Sequence, residues 1–201
     1  RTLNGRLGIV GGLSVLGTTG VVIPFSCSAW IHSIHRSVDV ARAAGLSHVA
    51  ASTGSTSERA VQSLYHLPEE ALIDMGDFVG GTLKYIRRHP VRRLTIAGGF
   101  AKLCKLGAGL LDLHSKRGSV DLDWLAERIS DAGGDAAFIE SVRCAKTAGR
   151  ALQLAREVDY PIGDLVAVAA RKTAREQITD ETAIEVLIFD RAGELVGRSD
   201  G

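Results

Sequence analysis

The chain has 201 residues, and its 24 Lys and Arg against 23 Asp and Glu give a formal net charge of +1. The 45% of hydrophobic and 23% of charged residues are typical of a globular protein and exclude a disordered or collagen-like chain. The balanced charge excludes a broadly basic nucleic-acid-binding surface, and no apolar run approaches the roughly 20 residues of a membrane-spanning helix.

Four short apolar runs, each followed by small residues and then by helical periodicity, occupy the first half of the chain. They predict strands at residues 7–10, 48–51, 71–75 and 93–97. Between the first two, apolar residues at helical spacing predict a helix from Cys27, with Ser26 as its N-cap and Gly45 at its end. The alternation of strand, turn and helix predicts a parallel sheet of βαβ units.

Three more helices are predicted in this half. Ser55 and Glu58 have the spacing of a capping box before the second helix. Asp77 is placed to cap a helix over residues 78–88, and residues 100–113 follow the last of the four strands with helical spacing.

The second half is richer in helical patterns and ends in a hairpin. Helices are predicted at 121–132, 136–158 and 162–178, and two strands at 183–190 and 195–197. We therefore expect an α/β fold with a Rossmann-like, mostly parallel sheet flanked by helices. Residues 1–178 are predicted to form the cofactor-binding domain, including a helical second half, and residues 179–201 a β-hairpin packed on the same domain.

Glycines mark the predicted carboxyl ends of the strands, which is where open parallel sheets bind their ligands. The four ends are Gly11-Gly12, residues 52–54, Gly76-Asp77 and residues 98–100. Glycine lets a ligand approach backbone N–H groups, and helix N-termini add partial positive charge. A tight turn explains one such glycine, but four glycine-containing ends favour a nucleotide-like cofactor.

The first of these ends narrows the choice of cofactor. Gly12 and Gly17 have the spacing of a phosphate loop, but Thr18, followed by Thr19, stands where that loop requires Lys. This argues against an NTPase. The dinucleotide pattern G-x-G-x-x-G is absent, which disfavours NAD. With these two cofactor classes disfavoured, we expect a small adenosyl ligand without a polyphosphate.

Cysteine and histidine patterns indicate no metal site. The three cysteines are widely spaced: Cys27, Cys104 and Cys144. They fit neither a disulfide framework nor a metal-binding pair, which indicates a reducing, cytoplasmic setting. Cys27, Cys104 and Trp30 lie on apolar stripes and are predicted core residues. His32 and His35 share a polar helix face, but no third ligand accompanies them.

Three segments carry a resemblance to a known family. Residues 8–20 resemble the signature of the CbiD-type cobalt-precorrin-5B C1-methyltransferases of cobalamin biosynthesis. Residues 76–80 resemble the family's Ser-Asn-Phe-Ile/Val-Gly motif, and residues 102–115 its Lys-Leu-x-Lys-Leu-Ala-Ala-Gly…Asn-Thr-His-Ser stretch. The likeness covers roughly residues 7–115.

The sequence also departs from this family's pattern. The family's Gly-His-x-Gly motif has Gly99 in place of its His, and Asp77 and Asp112 stand where the family has Asn. Members carry a substantial N-terminal domain before the first motif, so the resemblance implies that this chain is the carboxyl-terminal portion of the enzyme and that a partner domain is missing from it.

The resemblance implies transfer of a methyl group from S-adenosylmethionine to ring carbon C1 of a cobalt corrinoid, converting cobalt-precorrin-5B to cobalt-precorrin-6A. Such a transfer depends mainly on positioning. The residues expected to hold the methyl donor are Gly11, Gly12, Gly17, Thr18, Thr19, Gly54, Asp77, Gly98 and Gly99. Asp77 is expected to bind the ribose hydroxyls or face the sulfonium, and its alternative role is the helix cap described above.

Polar residues of the third segment are the expected substrate contacts. Lys102 and Lys105 share a helix face and, with residues 116–117, are predicted to form a basic rim for substrate carboxylates. The alternative is an ordinary solvated face. His114 is the predicted catalytic residue, beside Ser115 as a substrate contact, because imidazole can move a proton near neutral pH. A helix-end cap is the alternative for His114.

Two other functions stay open at this point. One is a non-catalytic module that docks corrinoid within the same pathway, and the other is a Rossmann-like nucleotide-dependent oxidoreductase. No contact with nucleic acid or membrane is expected, and the sequence leaves homo-oligomerisation open.

Overall fold

A computed structural model of the chain describes Gly11 and residues 26–115 and 118–199. They form a five-stranded sheet with the spatial order β2-β1-β3-β4-β5. The strands are β1 His48–Ser52, β2 Leu72–Asp74, β3 Arg93–Gly99, β4 Ala183–Phe189 and β5 Leu195–Arg198. The first four run parallel, and β5 pairs antiparallel with β4. The fold is therefore α/β with a mostly parallel mixed sheet. The strand predicted at residues 7–10 lies outside the described residues.

Eight α-helices accompany the sheet in the described part of the chain. They are α1 Cys27–Ala43, α2 Ser55–Tyr65, α3 Val79–Arg88, α4 Phe100–Gly107, α5 Leu122–Asp131, α6 Ala136–Arg143, α7 Ala148–Glu157 and α8 Ile162–Arg175. Helix α1 confirms its prediction: the Ser26 side chain accepts a hydrogen bond from the Ala29 N–H, and Gly45 follows the helix at φ +70°. This positive φ suits glycine at the residue after a C-cap.

The sheet has two unequal faces because side chains alternate along each strand. Val49, Ile96 and Val186 belong to a large apolar cluster packed with α1, α3, α4 and the second-half helices. Ala50, Ala97 and Leu187 point to the other face, where they form a small cluster with Val61 of α2. Most of the apolar core therefore lies on the first face.

The terminal hairpin is joined closely to the helices. Gly163 of α8 and Gly197 of β5 lie backbone to backbone, and a Cβ on Gly163 would be 1.8 Å from the Val196 carbonyl oxygen. The Asp164 carboxylate accepts a hydrogen bond from the Arg198 N–H at 2.8 Å. Because β4 also pairs with β3 over seven residues, the hairpin supplies a central strand of the sheet.

Several predicted boundaries are wrong for local reasons. The helix predicted over 136–158 is two helices, because the Thr147 hydroxyl accepts a hydrogen bond from the Arg150 N–H and begins α7. The helix predicted over 100–113 ends at Gly107, since Gly109 at φ +93° and the Leu110 N–H bonded to the Lys105 carbonyl form a Schellman motif.

Two predicted helix caps are also wrong. Ser55 is the first residue of α2, and its N-cap is Gly54, without a side-chain hydrogen bond. The N-cap of α3 is Phe78, so Asp77 does not cap that helix. The strand predicted at 71–75 is shorter, because a 3-10 turn over Glu69–Ala71 precedes β2.

Candidate functional site

A cleft of about 960 Å³ lies beyond the carboxyl ends of β1 and β3. These two neighbours are the point at which the strand order reverses, because the chain places β2 on one side of β1 and β3 on the other. The cleft is enclosed by the residues that follow β1 and β3, by α7, and by the turn between β4 and β5. Its volume is in the range of small-molecule and cofactor sites.

One side of the cleft, which we name the tip wall, consists of Thr53, Gly54, Ser55 and Gly99. Helices α2 and α4 begin here, so their first N–H groups have no partner within the helix. A Cβ built on Gly54 or Gly99 would meet no atom within 4 Å. The tip wall therefore offers backbone donors and open space to a ligand.

Gly98 lies next to the tip wall but has a different role in the structure. A Cβ at Gly98 would lie 2.8 Å from the Leu103 side chain and 2.9 Å from the Thr53 hydroxyl. Gly98 is thus required for the packing of β3 against α4, whereas Gly99 faces open space.

Lys102 connects the ends of three strands. Its ammonium donates to the Thr53 carbonyl at 2.7 Å and lies 3.0 Å from Asp77 Oδ1. Asp77 Oδ1 is buried and has no well-aligned hydrogen bond, so the contact is an ion pair. Lys102 lines the cleft, and Asp77 supports it from the loop before α3.

Lys105 is buried away from the cleft that Lys102 lines. Only 8% of Lys105 is exposed, and its ammonium donates to the carbonyls of Leu113 and His114 at 3.2 and 3.5 Å. It fixes the loop after α4. His114 and Ser115 are exposed residues of that loop, and neither lines the cleft.

The structure therefore brings together only part of the predicted site. Gly54, Gly99 and Lys102 line one cleft, with Asp77 and Gly98 directly behind them. Gly11 is exposed at φ +70°, and no atom of the described residues lies within 4 Å of a Cβ built on it. The other predicted residues of the first motif and of the basic rim lie outside the described residues: Gly12, Gly17, Thr18, Thr19, Lys116 and Arg117.

A second part of the cleft lining was not predicted from the sequence. We name it the cationic wall, and it consists of Arg150 and Arg156 of α7 and Arg191 of the β4–β5 turn. Spacing offered a signal, because Arg150, Gln153 and Arg156 recur every third residue on one helix face. The sequence did not show that this face is turned toward the strand ends.

Asp190 holds the cationic wall in place. Its carboxylate accepts from Arg156 at 2.7 Å and from the N–H groups of Ala192 and Glu194 at 2.9 and 3.0 Å. Burial raises the pKa of Asp190, but these hydrogen bonds outweigh burial and hold the pKa below its ordinary value. The β4–β5 turn is therefore tied to α7 by a charged carboxylate.

A second charged group, the Glu185 cluster, lies nearer the amino ends of the strands. The Glu185 carboxylate is 3% exposed and accepts hydrogen bonds from Tyr65 at 2.7 Å, Arg93 at 3.0 Å, Thr95 at 3.0 Å and Arg198 at 2.6 Å. Both carboxylate oxygens are used by the protein's own donors. The cluster joins α2, β3, β4 and β5 and offers no open acceptor to a ligand.

The remaining predictions on cysteine and histidine give mixed results. Cys104 is buried as predicted, and burial raises the pKa of its thiol. Cys27 is exposed and Trp30 is 44% exposed, so the prediction that they are core residues is wrong. Trp30 instead covers Gly76 and donates from Nε1 to the Asp74 carbonyl at 2.9 Å.

His35 stacks on Tyr85 with ring centroids 3.9 Å apart, and its ring centroid lies 6.0 Å from that of His32. In the described ranges, no group of three or more His, Cys, Asp and Glu side chains is arranged to hold a metal ion. Within those same ranges, no helix has both the length and the apolar character required to cross a membrane.

Comparison with known proteins gives a consistent result. The family described as CbiD, C-terminal domain matches residues 112–200, and the family described as CbiD matches residues 1–24. A cobalt-precorrin-5B C(1)-methyltransferase of Bradyrhizobium sp. is 63% identical over 202 residues, covering 100% of this chain and 54% of the relative.

Proteins of the same description from two other bacteria are similarly close. The one from Paramagnetospirillum magneticum is 58% identical over 198 residues, covering 98% of this chain and 55% of the relative. The one from Halorhodospira halophila is 58% identical over 200 residues, covering 99% of this chain and 54% of the relative. The chain therefore spans about half the length of the curated relatives it matches. No solved structure matches it.

Proposed function

Because the chain belongs to the CbiD family, we propose that it is the carboxyl-terminal part of an S-adenosylmethionine-dependent methyltransferase that acts on carbon C1 of cobalt-precorrin-5B in cobalamin biosynthesis. The observation that carries this proposal beyond the family name is the cleft at the reversal of strand order. Its tip wall has the open backbone that an adenosyl ligand requires.

The strand order supports a Rossmann-like assignment for the sheet. The order β2-β1-β3-β4-β5 is that of a doubly wound sheet, and such sheets bind nucleotides between β1 and β3. The antiparallel β5 is an edge strand and does not alter this point. We therefore propose that the methyl donor binds at the tip wall.

The residues present fit such a donor. The open positions at Gly54 and Gly99 leave room for a nucleoside against the backbone, and the N-termini of α2 and α4 supply N–H donors for its polar groups. When bound, S-adenosylmethionine supplies an activated methyl group on its sulfonium. The task of the protein is then to hold the acceptor carbon in line with that group, and positioning of this kind lowers the barrier strongly.

Asp77 and Lys102 have supporting roles in this proposal. Lys102 fixes the Thr53 carbonyl and pairs with the Asp77 carboxylate behind the tip wall, so the pair adds little net charge beside a bound sulfonium. Direct contact of Asp77 with the ribose hydroxyls or with the sulfonium stays a prediction. The catalytic role of His114 and the substrate contact of Ser115 stay predictions, since both residues lie on the exposed loop outside the cleft.

An N-terminal domain of the same protein is proposed to complete the site over the macrocycle. The relatives are about twice as long as this chain, and large ligands are commonly bound at domain interfaces. We propose a cytoplasmic location for the protein, as for a biosynthetic enzyme that acts on soluble intermediates.

Calorimetric titration with S-adenosylhomocysteine tests the proposal. We expect the 201-residue chain to bind this product, and Gly99→Val to lower the affinity at least about tenfold by filling the tip wall. Gly81→Ala on α3, where a Cβ makes ordinary contacts, is the control and should bind normally. Absence of binding to the unaltered chain, or normal binding by Gly99→Val, contradicts the proposed site. Corrinoid binding without S-adenosylhomocysteine binding would support the docking module instead.

A further inference from the structure

We propose that Arg150 and Arg191 bind carboxylate side chains of the macrocyclic substrate, so that the cationic wall selects a polycarboxylate corrinoid. This inference rests on the proposed function, and it assigns a ligand to the cationic wall of the same cleft. The two sides then divide the ligands: the tip wall holds the adenosyl donor, and the cationic wall holds the acceptor.

The charge of the cleft supports this division. Its lining contains four cationic side chains and one carboxylate, namely Lys102, Arg150, Arg156 and Arg191 against Asp190. Asp77 and Glu157, which are not part of the lining, pair with Lys102 and Arg150, so four cations stand against three carboxylates and the balance is still positive by one charge. A positively charged cleft attracts anions. The same positive charge disfavours a sulfonium cation close to the arginines. The methyl donor is therefore expected at the tip wall.

Two of the four cations are already committed to the protein. Lys102 is held by the Thr53 carbonyl and by Asp77. Arg156 is held by Asp190, whose side chain is only 12% exposed. Their positions are fixed by these contacts, and their charges are largely compensated.

Arg150 and Arg191 differ from those two in their partners. Arg150 pairs with Glu157 at 3.0 Å, with 45% and 49% of the two side chains exposed. Exposed pairs of this kind contribute little energy, so a ligand carboxylate can replace Glu157 at small cost. Arg191 is exposed in a turn whose backbone is fixed by Asp190. Both guanidinium groups are therefore available to a ligand.

The geometry of guanidinium explains why carboxylates are the expected partners. Arginine presents parallel N–H donors that match the two oxygens of a carboxylate. A cobalt corrinoid intermediate carries acetate and propionate groups around its rim, so it can meet two arginines at once. S-adenosylmethionine has one carboxylate next to a positive charge, and it matches this wall less well.

The test compares two corrinoids that share one macrocycle and differ in whether the side-chain carboxylates are free or esterified. The probes are cobyrinic acid, whose side chains are free carboxylates, and its fully methyl-esterified form, each titrated into the chain and followed by corrinoid absorbance. We expect the acid to bind and the ester to bind at least about tenfold more weakly. Arg150→Ala and Arg191→Ala should each weaken binding of the acid about tenfold, the loss expected for one charge-assisted hydrogen bond.

Two controls separate this inference from the proposed function. Arg87→Ala removes an exposed arginine of α3 outside the cleft and should leave binding of the acid unchanged. S-adenosylhomocysteine should bind both wall variants as it binds the unaltered chain. Equal binding of acid and ester, no binding of the acid, or normal binding of the acid by both variants overturns the cationic wall as the substrate site. Failure of S-adenosylhomocysteine alone counts against the proposed methyl transfer and leaves the wall supported.

Discussion

The Glu185 cluster and the cationic wall both contain arginines, but they lie at different ends of the strands, and the carboxylates beside them differ in burial: 3% of the Glu185 side chain is exposed, against 49% of the Glu157 side chain that pairs with Arg150. The buried Glu185 carboxylate accepts hydrogen bonds from two arginines, a tyrosine and a threonine, and all four donors are side chains of the protein itself. In the cleft, Arg150 and Arg191 are exposed to the solvent space that a ligand would fill. The arginines of the Glu185 cluster therefore stabilise the fold, whereas Arg150 and Arg191 are proposed to bind the substrate.

This difference separates charged residues that stabilise the fold from charged residues that can bind a ligand. A buried charge is tolerated only when its partners are complete, because desolvation of an unpaired charge is costly. An exposed arginine with a weak partner can exchange that partner for a ligand at little cost. Changes in the first cluster should alter stability and leave binding intact, whereas changes in the cleft should do the reverse.

The largest expected effect is that of Glu185→Ala. The substitution removes the side-chain hydrogen bonds that join β4 to α2 and β5, and it takes one acceptor from each of two arginines. Because Arg93 and Arg198 are 41% and 49% exposed and can turn to water, we expect a loss at the lower end for broken buried pairs, about 3 kcal/mol. Urea denaturation measures this loss. A change in unfolding free energy of less than about 1 kcal/mol would contradict a structural role for the cluster.

A pair of neighbouring glycines gives the next effect. Gly98→Ala places a methyl group against Leu103 and Thr53, and we expect it to lower the unfolding free energy by about 2 kcal/mol through overpacking. Gly99→Ala adds its methyl group to open space and should leave stability within about 0.5 kcal/mol of the unaltered chain. Denaturation of the two variants side by side checks the contrast, and equal stabilities would show that the packing at β3 and α4 is misassigned.

The smallest effect is the dependence of stability on pH. Burial, and then the charge of Arg93, lower the pKa of His48 below its ordinary value, so the folded state resists a proton that the unfolded state accepts. Burial raises the pKa of Glu185, but hydrogen bonds from its cluster outweigh burial and hold that pKa below its ordinary value. Stability should therefore fall as the pH drops through about 6.5, and fall again below about 4.3.

Urea midpoints across this pH range provide the measurement. His48→Gln should reduce the first fall, although not abolish it, because burial and then the charges of His32 and Arg36 also lower the pKa of His35. Glu185→Gln should reduce the second fall. Stability that stays constant or rises between pH 7 and pH 5 would show that His48 and His35 do not titrate as described.

The predictions that succeeded depended on local signals. Ser26 and Gly45 bound a helix because a cap and a left-handed glycine act within a few residues of chain. Strand β3 was found because its apolar run and glycines are contiguous. Thr147 was missed, although it is a strong N-cap residue, because continuous helical spacing on both sides concealed the break.

Features that depend on distant contacts could not be read from the sequence. Tyr65 and Glu185 are 120 positions apart, and Arg156 and Asp190 are 34 apart. Nothing local to either residue indicates its partner. Lys105 likewise has the sequence surroundings of an exposed lysine, and only the path of the loop after α4 turns its ammonium inward.

Amide hydrogen exchange with and without S-adenosylhomocysteine tests the central claim most directly. The account predicts slower exchange in peptides that cover residues 53–57 and 99–103, at the tip wall, and unchanged exchange in peptides that cover Tyr65 and Glu185. No change at the tip wall when the ligand is present at saturating concentration, or protection confined to another part of the chain, would contradict the assignment of the donor to this cleft.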